Sequence, residues 1–315
     1  MMGKILTGTV LAAAAALAAG AGITAYFYRR TMMRSRAKTE GTMKMSGTDW
    51  SQYFPVMQER RQWMMEQPHE DVQLMSQDGL KLHATYFPGQ EGKKAVICFH
   101  GYTSRGMDDY VGLSDYYLKR GYRMLLVDER AHGDSEGEYI GFGCLDRFDG
   151  LKWIRWMTDK IGEDAEILLH GTSMGGATVL MMTGLKLPEQ VKGVVSDCAF
   201  TSPKEVFTHV LHSMYHLPAF PLIPLADRIN RKKAGYGLDD CNAAREVRKA
   251  AVPVLMIHGD KDIFVPCWMC DVIYDNYAGP KTKLIVPGAG HAESYYKDTA
   301  AYERALDTFT EGILK

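Results

Sequence analysis

Ser173 stands in Gly171-Thr172-Ser173-Met174-Gly175, just after the apolar run "AEILL". A serine hydroxyl is a poor nucleophile until a base accepts its proton. Glycines on both sides would keep other side chains off a tight strand-to-helix turn and leave the hydroxyl exposed. Taken alone, the stretch suits an ordinary glycine turn equally well, so the reading depends on partners. A candidate base is His291, in the glycine-rich "VPGAGHAES". Three carboxylates could orient its imidazole: Asp262 and Asp260 in "HGDKDIFVP", and Asp197 at the end of "VKGVVSD". Asp262 would give the chain order Ser, Asp, His, whereas Asp260 could instead shape a turn. Attack on a carbonyl also requires donors for the developing oxyanion. The backbone N–H of Met174, next to the serine, is one candidate, and that of Tyr102 in "CFHGYTSRG" is the other.

Elements that could bring these residues together follow from periodicity. "DVQLMS" and "LKLHATYF" alternate around "QDG", a hairpin signal. "KAVICFH", "YRMLLVD", "AEILLH" and "VKGVVSD" are short apolar runs with the character of buried strands. Between them fall predicted helices over "LSDYYLKRG", near residues 144–160, and from Met174 to Lys186. Alternation of this kind indicates α/β architecture, a mostly parallel sheet with helices on both faces. It breaks at 199–249, a proline-containing helical stretch without a strand, expected to form a lid over the site. It resumes with "VPVLMIHGD", a helix near 267–277, "KLIVPG" and a last helix through Leu314. Ser173, the acid loop and His291 each then follow a strand.

The set "HGYTSRG", "VDERAHGDSEG", "HGTSMGGATVL", "IHGDKDIFVP" and "GAGHAESY" resembles the α/β-hydrolase fold serine hydrolases. More narrowly, it resembles the membrane-anchored bacterial YqkD-like group. The likeness covers roughly residues 71–315. It implies Ser173 as nucleophile, His291 as base and Asp262 as acid, the "GDKDIFVP" loop favouring Asp262 over its rivals. It implies Tyr102 and Met174 as the oxyanion hole, and structural roles for Asp128, Arg130 and His132. The expected activity is carboxylester hydrolysis through an acyl-enzyme, with peptidase or thioesterase activity as alternatives and a non-catalytic binding protein behind both. Substrate is not specified by these motifs.

Composition narrows the partners. With 37 basic and 38 acidic residues, a net charge of -1 gives no electrostatic reason for nucleic-acid binding. Six cysteines over 315 residues do not form a disulfide framework, and Cys267-x-x-Cys270 lacks companions for zinc. His209, His212 and His216 share a helical face in the lid but lack a further ligand, so neither a metal nor a cofactor is expected. Their neighbours Leu211, Met214, Tyr215, Leu217 and Phe220 suggest an apolar pocket for an acyl or aromatic group. From Ile5 to Tyr28 the chain carries no charge, and Arg29, Arg30, Arg34, Arg36 and Lys38 follow. The pattern reads as an uncleaved single-pass membrane helix with the catalytic domain in the cytoplasm, a cleaved signal peptide with secretion being the alternative. Tyr26, Phe27 and Tyr28 would form its interfacial aromatic belt. The expected organisation is an anchor and basic flank (1–38), a connecting segment (39–70) with a short amphipathic helix whose Trp50, Tyr53 and Trp63 pack on the domain or on the membrane surface, and the hydrolase domain (71–315) with its lid insertion at about 199–249.

Overall fold

The computed structural model describes residues 22–34, 47–90 and 92–314. Its centre is an eight-stranded sheet of β1 (Glu70–Met75), β2 (Lys81–Phe87), β3 (Lys94–Phe99), β4 (Arg123–Asp128), β5 (Glu166–Thr172), β6 (Val191–Asp197), β7 (Val254–Gly259) and β8 (Lys281–Val286). The strands lie in the order β1-β2-β4-β3-β5-β6-β7-β8. β1 and β2 form the antiparallel hairpin that the "QDG" turn indicates, with Leu74 opposite Leu82. β2 also runs antiparallel to β4, and every other pairing is parallel. The apolar runs are buried because helices cover both faces.

Period-two alternation divides the strand residues between two cores. Ile97 and Phe99 join Trp153 and Ile154 of α4 (Asp146–Ile161) and Leu180 of α5 (Met174–Met182) on one face. Val96 and Cys98 meet Tyr116 and Tyr117 of α3 (Val111–Lys119) and Leu306 and Phe309 of α9 (Thr299–Glu311) on the other. α5 ends four residues before the expected Lys186, in a turn at Thr183 and Gly184, and α9 stops at Glu311. Residues 199–249 contain no strand. They form α6 (Pro203–Ser213) and α7 (Ala219–Lys233), followed by short helical turns and then α8 (Cys267–Asn276) beyond β7. Ser202 caps α6 by accepting from Glu205 N, with Pro203 in the first turn where its missing N–H is harmless.

The segments ahead of β1 lie against this body. α2 (Phe54–Glu66) places Trp63 against the second core, and the Trp50 ring meets that of Tyr296 edge-on at 5.8 Å. Residues 22–32 form helix α1. This corrects the expected aromatic belt: Tyr28 is 3% exposed and donates to Asn230 Oδ1 at 3.2 Å, while Phe27 packs edge-on against Tyr215. The end of the uncharged run is docked on α7 and the lid because its aromatic rings find an apolar surface and its hydroxyl a buried acceptor there. Arg34, one of the expected flanking cations, donates to the carbonyls of Gly133 and Ser135. No helix among the described residues is long and apolar enough to cross a membrane. Residues 5–21 of the expected span, with Arg36 and Lys38, lie outside the described residues.

Candidate active site

The sharp turn between β5 and α5 holds Ser173 at φ 55° and ψ −110°, a conformation that side chains rarely adopt. Close backbone approach explains the glycines. A Cβ on Gly171 would collide with the Gly175 carbonyl, and one on Gly175 with the Phe99 carbonyl. Gly175 N also donates to His100 O at 3.0 Å and Ser173 N to Asp197 O at 2.8 Å, fastening the turn to the loop after β3 and to the end of β6. Thr103, Cys198 and Ala292, on neighbouring loops of this sheet edge, likewise take positive φ. Such strain concentrates where surrounding structure over-determines the backbone, as at active sites.

Ser173, His291 and Asp262 form one hydrogen-bonded chain. Ser173 Oγ lies 2.8 Å from His291 Nε2, and His291 Nδ1 lies 2.7 Å from Asp262 Oδ2. An ionised carboxylate only accepts, so Nδ1 carries the ring proton and Nε2 is left to accept from the serine. Asp262 Oδ1 is held by the N–H groups of Phe264 and Val265 at 2.9 and 2.8 Å. Burial acts to raise the Asp262 pKa, but the charge and hydrogen bonding of His291 and His258 outweigh it and hold the carboxyl well below the usual range. Neither of the other candidate acids bonds to the His291 ring. Asp260 Oδ1 accepts from Gly288 N at 2.6 Å and shapes the turn. Asp197 is fully buried, which raises its pKa to about 6 despite nearby His258 and His291.

The loop after β3 places Gly101 beside the turn, where a Cβ would stand 3.4 Å from Ser173 Cβ. Asp109 shapes this loop by accepting from Gly101 N at 2.6 Å and from Ser104 Oγ. His132 Nε2 accepts from Thr103 N at 3.1 Å, and its Nδ1 lies 3.0 Å from Arg130 O. Burial lowers the His132 pKa to about 3, keeping the ring neutral and its acceptor available. Tyr102 and Met174 are on the two segments flanking Ser173, and their N–H groups donate to no group among the described residues. Asp128 accepts from His83, Gly106 N and Asp134 N, and Arg130 forks onto Asp149 and Asp78. Both stand away from the serine and hold the loop in place.

Sequence reasoning missed His258. It is the penultimate residue of β7, donates from Nε2 to Val265 O at 2.8 Å and places that nitrogen 3.4 Å from Asp262 Oδ2. Burial opposes its charge, but Asp262 prevails and raises its pKa. The available signal was its position four residues before Asp262, at the end of a buried strand. Asp109 gave no comparable signal, since its contacts depend on a fold of the loop after β3.

Ser173 opens onto an apolar cavity of about 810 Å³. Leu211 and Tyr215 line it as expected, with Phe200, Phe207 and Val210. Phe220 does not, being 77% exposed on the outside of the lid, and Met214 and Leu217 are also outside the lining. His209, His212 and His216 do not converge: His209 Nε2 bonds to Ile263 O and His212 Nε2 accepts from Ala219 N. Cys198, Asp262 and His291 bring potential ligand atoms within 4.8 Å of one another. Asp262 and His291 are already bonded together there, and burial keeps the Cys198 thiol protonated. Cys267 and Cys270, at the start of α8, are free and belong to no group of three potential ligands among the described residues.

Comparison with known proteins agrees with this architecture. Residues 94–220 match the model of the alpha/beta hydrolase fold. The chain is 29% identical to the protein YqkD of Bacillus subtilis over 220 residues, 69% of this chain and 71% of YqkD. It is 27% identical over 197 residues to a lysophosphatidylserine lipase of Danio rerio, 61% of this chain and 50% of the lipase. Among solved structures it is similar to the esterase Pf2001 of Pyrococcus furiosus, with TM-score 0.65 and 20% identity over 80% of this chain and 93% of the esterase. The chain has an α/β-hydrolase fold.

Proposed function

We propose that this chain is a serine hydrolase that cleaves carboxylic esters with an apolar acyl group. The observation that carries this reading is the unbroken chain from Ser173 Oγ through His291 to Asp262 at the mouth of the large cavity. His291 Nε2 takes the hydroxyl proton while Ser173 Oγ bonds to the ester carbon. The carbonyl oxygen becomes an oxyanion facing the N–H groups of Tyr102 and Met174. Collapse breaks the bond to the alcohol, whose oxygen takes the proton from His291. Water, deprotonated by His291, then attacks the acyl-enzyme, and the released acid regenerates Ser173. Asp262 fixes the imidazole and stabilises its charged form throughout. The esterase and lipase relatives support the same reaction class.

Purified protein is expected to hydrolyse p-nitrophenyl octanoate faster than aminoacyl nitroanilides, and Ser173→Ala to lose that activity. Nitroanilide turnover without ester turnover would replace the esterase reading with a peptidase. We also propose attachment to the cell membrane through the N-terminal apolar stretch, with the catalytic domain on the cytoplasmic side. Its support is the absence of charge over residues 5–21, ahead of the docked helix, and the arginines that follow. Full recovery in the soluble fraction after detergent-free lysis would contradict it.

A further inference from the structure

Ser173 borders two cavities. The larger, about 810 Å³, has Ser173 in its wall but not His291. The smaller, about 340 Å³, is lined by both. This difference has chemical consequences if the hydrolase reading holds. The proton lost by Ser173 must pass from His291 Nε2 to the departing alcohol oxygen, so the alcohol half lies on the His291 side. The acyl half extends into the other cavity. Neither cavity is enclosed by the sheet and its covering helices alone. Residues 24–34 form part of the larger one's wall, together with Phe200 and Val210. Trp50, Met57 and Arg61 form part of the smaller one's wall.

Both segments are fastened to parts of the site. Tyr102 Oη donates to Arg30 O at 3.1 Å, and Ile140 N to Met32 O at 2.9 Å. On the other side Thr48 Oγ1 donates to His291 O at 3.2 Å. Tyr53 Oη donates to Glu293 Oε1 at 2.6 Å, while Glu293 Oε2 accepts from Gly290 N at 2.6 Å.

We propose that the two segments preceding β1 are the specificity elements of this enzyme: residues 24–34 bound an acyl site, and residues 48–61 bound a site for the leaving alcohol. The dimensions and linings define the substrate class as a bulky apolar acid esterified to a compact alcohol. Aromatic and aliphatic side chains make up most of the wall of the acyl half, with Arg29, Arg30 and Arg34 also bordering it. The Arg61–Asp108 ion pair and Ser104, which donates to Asp109, bring polar groups to the wall of the alcohol half, which suits an alcohol with further hydroxyls.

The test compares the full-length wild type with Phe27→Ala and Trp50→Ala on two ester series. One varies the acyl chain from acetyl to palmitoyl on 4-methylumbelliferone. The other fixes octanoate and varies the alcohol through methanol, ethylene glycol and glycerol. Phe27→Ala is expected to change the long-to-short acyl ratio of kcat/KM by about fivefold or more, leaving the alcohol ratios within about twofold. Trp50→Ala is expected to do the reverse, and to leave hydrolysis of the preformed octanoyl-enzyme unchanged, because the alcohol has already departed. Flat profiles, or each variant altering the other's series, would overturn the assignment. Phe27→Leu and Trp50→His repeat the comparison should either alanine variant melt early. Loss of wild-type ester hydrolysis and of Ser173 acylation would instead sink the hydrolase reading itself.

Discussion

At the scale of residues, the site depends on how closely backbone can approach backbone. Gly171 and Gly175 leave no room for a Cβ, so the sequence pattern around Ser173 follows from the turn it must make. The choice among acids is also geometric, since Asp262 alone of the three candidates bonds to the His291 ring. Asp262→Asn is therefore expected to lower kcat by about ten-thousand-fold, the scale seen when a triad histidine loses its orienting carboxylate. Asp197→Asn should cost less than about tenfold, because its tie to the turn runs through the main-chain carbonyl. Steady-state kinetics on both variants checks the pair, and equal losses would reassign the acid. The positions of Ser173, His291 and Asp262 were legible because each follows a strand and carries a reactive group. His258 and Asp109 were not, because their roles consist of contacts made only after the loops have folded.

At the scale of elements, the strands and the strand-free lid could be read from hydrophobic periodicity. Helix ends were less legible, as with α5, where a local turn at Thr183 and Gly184 stops an otherwise helix-compatible run. The loop between β4 and α4 is held by Arg130, which reaches the β1–β2 hairpin through Asp78 and α4 through Asp149. Hydrogen bonding to Arg130 lowers the Asp78 pKa to about 2. A carboxylate depressed in the folded state stabilises it above its unfolded pKa, and that contribution disappears as pH falls through the folded value. The stability difference between wild type and Asp78→Asn, measured by urea unfolding, should therefore narrow as pH falls from about 5 towards about 1. Its size at neutral pH should stay below about 1 kcal/mol, since the Asp78 side chain is 55% exposed. A gap that widens on acidification would contradict the ion-pair account.

At the scale of the whole molecule, the chain ahead of β1 is where sequence and structure differ most. An uncharged run ending in aromatic residues has the composition of a membrane helix, yet Phe27 and Tyr28 in its last turn pack on the lid, and residues 24–28 wall the large cavity. Composition could not separate these outcomes, because a bilayer and an apolar protein groove select the same side chains. The described N-terminal segments thus wall both cavities at Ser173, and on the proposed reading the hydrolase body provides the reacting groups between them. The most direct test of that account is reaction of the full-length protein with a fluorophosphonate, followed by peptide mass spectrometry. It predicts one phosphonylated residue, Ser173, with labelling lost in Ser173→Ala and strongly slowed in His291→Ala. Labelling that persists in folded Ser173→Ala, or a folded wild type that never reacts, would contradict it.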